Sequence, residues 1–394
     1  MTPASEAFAG ALRQTGSLPR LRVAEVRLHK LAAPLKDRFG WSLYWTSQRT
    51  ATLVEVITEE GLTGWGDGGL YDELRRRPEA VIGRSPFEVE AIFDELRVPA
   101  FQQRRPGPQW AGGLDVALWD LIGQALGAPV SQLLGHRYRA RVEAYCTALY
   151  RKDWPDLAAG LAEEARTWKA QGFRSVKMKT GYGPDLDASI VAAVRDAIGD
   201  TALAIDSNCA YDAGTAIALG RRLESYNLLW WEEPLPADDL AGLARLKTQI
   251  AIPISGGETL STDQLVHDYI QPRLLDIVQP EIEFVGFTGG RRLSYLCWLN
   301  HLRLVPHNWG TAIRTAAILH WMSAVPPLTQ AIAPPPAVFE LDCTENPLRD
   351  AVVRSPFRID PADGCIAVPA GPGLGIEVVG EAVNEYRVEM ITIR

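Results

Sequence analysis

The chain has 394 residues, 47% apolar and 22% charged, with 40 Lys and Arg against 48 Asp and Glu for a net charge of −8. The length points to two domains or to a barrel with an appendage. The acidic balance argues against nucleic acid and anionic membranes as partners, and leaves a small anionic substrate open where a metal or a local basic group receives it.

Taken in chain order, residues 1–19 read as a mobile tail with no basic-then-apolar leader. Residues 20–140 read as an α+β domain. In it "TATLVEVITEEG" (Thr50–Gly61) alternates and stops at a hairpin signal. "GGLDVALWDLIGQALGAP" (Gly112–Pro129) carries a helical stripe of Leu114, Leu118, Leu121, Ile122 and Ala125, with Gly127 and Pro129 as the stop.

From about residue 141 to 345 short apolar runs alternate with helical segments. The runs are "RVEAYCTALY", "SVKMKTG", "ALAIDSN", "LLWWEEP", "IPISGGE", "LLDIVQPE" and "RLVPHN". This alternation implies a parallel sheet, and at this number of units a closed α/β barrel of TIM type rather than an open sheet. GxGxxG after the first strand, the usual marker of the open alternative, is absent. Residues 346–394 are Gly/Pro-rich and extended, and are expected to return to the first domain. No apolar run approaches the roughly 18 residues of a membrane helix. Five cysteines without a CxxC pair (Cys146, Cys209, Cys297, Cys343, Cys365) suit a reduced, cytoplasmic protein.

The runs end on titratable residues at a regular spacing: Lys179, Asp206, Glu232, Glu258, Glu281 and His307, at intervals of 27, 26, 26, 23 and 26 residues. Each interval is about one βα unit, so these groups converge on the mouth of the barrel. Solvated strand ends explain one or two polar residues there, but not three successive carboxylates after apolar strands. Asp206, Glu232 and Glu258 would repel one another without a cation between them, and oxygen-only ligation suits Mg²⁺, or else Mn²⁺.

In "WWEEP" adjacent strand residues point to opposite faces. Glu232 keeps the register and is the expected ligand; Glu233 supports the site from behind. Lys177 and Lys179 share a face, and their mutual repulsion is expected to bring Lys179 toward neutrality so that it serves as a base. Glu281 is placed to orient the His307 ring. The remaining histidines (29, 136, 267, 301, 320) fall outside the register and read as structural.

With these motifs in view the chain resembles the enolase superfamily, mandelate racemase group. "VKMKTG" is similar to its KxK motif, with Lys179 as the base; "IDSN", "WWEEP" and "SGGE" match its metal-ligand segments, and "VPHNWG" its histidine segment. The resemblance implies an α+β capping domain over a modified (β/α)₇β barrel. One residue departs from the pattern: Glu281 stands where this group usually has Asp behind the histidine. "VPHNWGTAIRTAAILHWMSAV" and "FELDCTENPLRDAVVRSPF" look like segments of galactarolactone cycloisomerases and acid-sugar dehydratases. Asn208, Glu340, Trp41 and Tyr44 are the expected substrate contacts. The aromatic loop "DRFGWSLYW", which also holds Trp45, is expected to shield the site.

The implied reaction is Mg²⁺-dependent removal of a proton α to a carboxylate, leading to dehydration or cycloisomerisation of an acid sugar or its lactone. Racemisation or epimerisation of a 2-hydroxy or related carboxylate is the alternative within the same chemistry. A non-catalytic metal-binding scaffold is the alternative of another class. A metallohydrolase barrel would want His-x-His after its first strand, and "EAYCTALY" offers none. The expected partners are a small carboxylate and further copies of the chain in a homo-oligomer.

Overall fold

The computed structural model describes residues 18–69, 71–102, 111–329 and 331–394, so residues 1–17 of the expected tail lie outside the described residues. Strands β1 (Val23–Gly40), β2 (Trp45–Thr58) and β3 (Thr63–Asp67) form an antiparallel meander. The β2–β3 turn is made at Glu59–Leu62, where Gly61 adopts φ 86° and Thr58 pairs with Leu62. Leu53, Val54 and Val56 are fully buried in β2. The longer helices that follow are α1 (Val89–Gln102) and α2 (Gly112–Leu126). Helix α2 is buried along nearly its whole length and ends at Gly127 with φ 66°, the left-handed closure that glycine makes without a Cβ penalty. It lies so close to β3 that a Cβ on Gly66 would strike the Gly113 backbone.

Parallel strands follow at βα spacing: β4 (Arg141–Thr147), β5 (Ser175–Lys179), β6 (Ala202–Asp206), β7 (Trp231–Glu232), β8 (Ile254–Gly256), β9 (Ile277–Val278), β10 (Arg303–Leu304) and β11 (Val338–Asp342). They pair in the order β11-β4-β5-β6-β7-β8-β9-β10. The helices between them are α3 (Leu157–Ala170), α4 (Pro184–Ile198), α5 (Ala213–Leu223), α6 (Leu240–Lys247), α7 (Asp263–Ile270), α8 (Ile282–Leu299) and α9 (Ala312–Ala324). Side chains of Asp156, Asp212, Asp239, Thr262 and Thr311 accept N–H groups at helix starts, each cap contributing about 1 kcal/mol. At the seam between β10 and β11, Asn308 donates its backbone N–H to Glu340 Oε2 (2.9 Å) and its Nδ2 to the Glu340 carbonyl (2.8 Å). This is a (β/α)₇β barrel carrying an antiparallel α+β cap.

The chain's last segment does two things. Strand β12 (Cys365–Ala367) pairs antiparallel with β4 of the barrel, and β13 (Arg387–Ile393) pairs antiparallel with β1 of the cap. The cap is fastened to the barrel by buried carboxylates. Asp115 of α2 accepts the N–H groups of Phe287 (2.6 Å) and Thr288 (3.0 Å) just after a kink in α8 at Gly286, φ 55°. Burial pushes the Asp115 carboxyl up to about 7. His320 of α9 is fixed as the neutral form: its Nδ1 accepts from Ser131 N (3.2 Å) and its Nε2 donates to the Leu374 carbonyl (3.1 Å). Among the described residues no helix is long and apolar enough to cross a membrane.

Candidate active site

The strand register carries the side chains inward. Lys179 is the ladder partner of Asp206, and Asp206 that of Glu232; partners in a parallel ladder project to the same face. Glu258 reaches the site differently. Ser255 is the partner of Glu232, and the chain then turns at Gly257, φ 119°, before Glu258. One oxygen from each of Asp206, Glu232 and Glu258 lies within 4.8 Å of the others, with the two aspartate- and glutamate-bearing strands buried and Glu258 half-buried. Glu258 Oε2 is buried without a hydrogen-bond partner. Such an all-oxygen set with an unsatisfied carboxylate oxygen fits a hard divalent cation.

Beneath these groups Tyr145, Ala204, Trp230, Ile277, Val305 and Val338 form a small apolar cluster. Trp230 Nε1 donates to Glu232 Oε2 (3.2 Å), and so does Gln279 Nε2 (2.7 Å). Lys177, 1% exposed, stands between Glu232 Oε1 (2.6 Å) and Glu340 Oε1 (2.8 Å). Lys179 binds Asp206 Oδ2 and donates to Asn208 Oδ1 (2.9 Å). Asn208 also donates its N–H to Asp206 Oδ1 (2.9 Å) and its Nδ2 to Glu258 Oε1 (3.4 Å), so it joins Lys179 to two of the carboxylates.

In this arrangement the carboxylates act on Lys179 more strongly than Lys177 does. Burial lowers Lys179, but Asp206 and Tyr150 outweigh it, and the smaller opposing effect of Lys177 leaves the net shift upward. Lys177 is likewise held charged, by Glu232 and Glu340 against burial. Sequence spacing shows the two ammonium groups but not how closely the carboxylates pack around them.

The two glutamates of "WWEEP" do part. Glu232 faces the barrel axis, whereas Glu233 adopts φ 41° and turns to Thr259 Oγ1 (3.3 Å) and Cys209 Sγ (3.6 Å). Burial, then the neighbouring Glu258 and Asp206, push the Glu233 carboxyl well up. Glu340 sits deeper than a residue lining the mouth. It is fully buried, accepts from Thr147 Oγ1 (2.5 Å) and Asn308 N, and lies 3.9 Å from His307 Nε2.

On the far side, His307 Nδ1 pairs with Glu281 Oε2, and His307 Nε2 lies 3.4 Å from Glu258 Oε2. Burial lowers the imidazole, but Glu258, Glu340 and Glu281 together raise it to about 10. Lys179 and His307 thus flank the triad, one against Asp206 and the other against Glu258. The cap loop lies over this mouth: Ser42 Oγ donates to the Asn208 carbonyl (3.4 Å), and the Trp41 ring is 5.6 Å from Trp309 and 5.9 Å from Tyr44. Tyr44 is 60% exposed. The guanidiniums of Arg38 and Arg151 stack on Trp45 at 4.6 and 4.5 Å.

Thr147, Gln279, Asn308 and Arg314 were not anticipated from the sequence. Asn308 and Gln279 neighbour motif residues and carry a weak signal by adjacency. Arg314 lies on a helix, where no strand register points to it.

An enolase-type barrel with a cap loop over a Lys–carboxylate–His mouth defines the class, and comparison with known proteins agrees. "Enolase C-terminal domain-like" matches residues 160–383 and "Mandelate racemase / muconate lactonizing enzyme, N-terminal domain" matches residues 24–135. The chain belongs to the mandelate racemase/muconate lactonizing enzyme family of the enolase superfamily, and it is an enzyme. It is 34% identical to D-galactarolactone cycloisomerase of Agrobacterium fabrum, over 93% of this chain and 99% of that one. It is 29% identical to arabinonate dehydratase of Saccharolobus solfataricus, over 84% and 89% of the respective chains. The crystal structure of the 3,6-anhydro-D-galactonate cycloisomerase from Zobellia galactanivorans superposes with a TM-score of 0.81 at 32% identity, covering 93% of this chain and all of that one.

Proposed function

We propose that this enzyme removes the proton α to the carboxylate of an acid sugar or its lactone, with dehydration or cycloisomerisation as the outcome. The observation that carries this reading is the flanking of one carboxylate triad by Lys179 and His307 from its two ends. The likeness to a galactarolactone cycloisomerase and to acid-sugar dehydratases supports the substrate class.

Asp206, Glu232 and Glu258 would hold Mg²⁺ or Mn²⁺. The bound ion would fix the substrate carboxylate, offset the charge that develops as the α-proton leaves, and share the carboxylate charge that holds the lysines protonated. Lys179 takes the α-proton from its side. Lys177 braces Glu232 against Glu340, and Asn208 keeps the Lys179 ammonium aligned with Asp206. From the opposite side His307, oriented by Glu281, delivers a proton to the leaving group or ring oxygen. The rings of Trp41, Tyr44 and Trp45 cover the sugar and exclude water.

A screen of acid sugars and their lactones with Mg²⁺, read by keto-product assay and polarimetry in parallel, tests this. A keto acid or ring-opened product from one of them is expected. A change in rotation without elimination or ring opening would favour the second reading, racemisation, which the same two-sided arrangement of Lys179 and His307 permits. Turnover of none, with Mg²⁺ bound, would place the substrate outside the acid sugars.

A further inference from the structure

Arg314 stands where carboxylates from the cap and the barrel meet. It lies in the first turn of α9 and is nearly buried. Its Nη1 reaches Glu281 Oε1 at 3.1 Å; its Nη2 reaches Asp67 Oδ1 at 3.1 Å and Glu283 Oε2 at 2.5 Å. Asp67 is the last residue of β3 in the cap, and its other oxygen accepts from Thr311 N (2.7 Å) and Thr311 Oγ1 (2.6 Å) at the start of α9. Two glycines keep the space open: a Cβ on Gly68, φ 93°, would strike Arg314 Nη2 and the Glu283 side chain, and one on Gly310 would strike Arg314 Nε. Both oxygens of Glu281 are thereby assigned, Oε1 to Arg314 and the Glu283 N–H (3.4 Å), Oε2 to His307 Nδ1.

We propose that Arg314 is a positioning residue for the His307–Glu281 pair, pinning the longer glutamate stem by Oε1 so that Oε2 meets Nδ1, and coupling that alignment to the seating of the cap through Asp67. Glutamate has one more rotatable bond than aspartate, and a partner that fixes its far oxygen removes that freedom before the reaction begins. A guanidinium suits the task because its planar fork serves several acceptors in fixed directions, whereas an ammonium is a single point charge. Burial pushes the Glu281 carboxyl up, but Arg314 and then His307 outweigh it, keeping Glu281 the ionised acceptor. The cap's contribution to this site is therefore not confined to its aromatic loop: a second contact, at the end of β3, reaches the acid–base pair from behind.

The inference rests on the acid–base reading of His307, but its deciding readout needs neither substrate nor added metal, so the two fail separately. In the full-length protein labelled with ¹⁵N-histidine, long-range ¹H–¹⁵N correlation reports the two ring nitrogens of His307, assigned by their loss in His307→Asn. The native protein is expected to show Nδ1 protonated and hydrogen-bonded. Arg314→Met is expected to move Nδ1 toward the position of a free imidazole, Arg314→Lys to restore it in part, and Asp67→Asn to move it less. With the substrate found by the screen, turnover falls in Arg314→Met while KM holds. A folded Arg314→Met whose melting temperature drops but whose His307 nitrogens do not move would overturn the proposal and leave Arg314 as a tether of cap to barrel. If Arg314→Met does not fold, Arg314→Lys and Asp67→Asn decide: His307 nitrogens unmoved in both would overturn it.

Discussion

The barrel interior and the cap loop meet at one mouth but are built in opposite ways. In the interior Lys177, Lys179, Asp206, Glu232 and Glu340 are all buried and each is held by a charged or polar neighbour. In the loop Leu43 and Tyr44 are mostly exposed, and Trp41 and Tyr44 meet their neighbours as rings. A group in the first region cannot be removed without stranding a partner in low dielectric, whereas a ring in the second can be removed at small cost to the fold. On the proposed reading the chemistry is tied to the strand register, and recognition of the substrate to a surface that can vary without unsettling it.

The largest effect is expected at the triad. Glu232→Gln should abolish Mg²⁺ binding by calorimetry together with activity, while Glu233→Gln, which touches Thr259 and Cys209 instead, should weaken binding only about 10- to 100-fold. The reverse ranking would mean that the wrong glutamate has been placed among the ligands. His307→Asn comes next, with a loss of about 100- to 10,000-fold in turnover while Lys179-dependent exchange of the α-proton persists; loss of exchange as well would show that the two sides of the site are not independent.

Lys177→Met should lower stability by about 3–5 kcal/mol, because it strands Glu232 and Glu340 as unpaired buried carboxylates; a melting temperature near that of the native chain would remove the contrast with the loop. Tyr44→Ala should change stability by only a few tenths of a kcal/mol, up to about 0.5. Trp41→Ala, which removes a ring half-buried against Trp309 and Tyr150, should change it by about 1 kcal/mol. Both should raise KM, and a fall in kcat alone would place these rings in the chemistry rather than in recognition.

A separate effect, on stability alone, concerns a residue outside both regions. Burial pushes the His320 imidazole down to about 4, against about 6.5 in an unfolded chain. Between those values the unfolded chain binds a proton that the folded chain does not. His320's contribution is therefore complete above about 6.5 and is lost as the pH falls toward 4. Melting curves across that window should fall less steeply in His320→Gln than in the native protein.

What could be read from the sequence follows from how each region is built. Parallel strands repeat once per βα unit, so inward-facing residues recur at nearly constant spacing, and Lys179, Asp206 and Glu232 could be aligned before their contacts were known. The ladder sets Ser255 opposite Glu232, so Glu258 reaches the site from three residues further on, past the turn at Gly257, a departure that the even interval of 26 residues does not reveal. The sequence also showed that Glu281 replaces the usual aspartate, but not what holds it. Arg314 and Asp67 come together only when the cap docks, and no periodicity records a contact between the end of a cap strand and a barrel helix. The surroundings of Lys179 are only partly legible for a related reason. Like charge two residues away is visible in "KMK", whereas a carboxylate brought in from the next strand by the ladder acts more strongly.

The most direct test is solvent exchange at the α-carbon. With the acid sugar or lactone that the Mg²⁺ screen identifies, the reaction run in D₂O and followed by ¹H NMR should show loss of the α-proton signal in the native enzyme and in His307→Asn. That loss should be absent in Lys179→Ala and in Glu232→Gln. Full exchange in Lys179→Ala, or native turnover in Glu232→Gln, would contradict an account in which one lysine removes the proton beside a carboxylate triad.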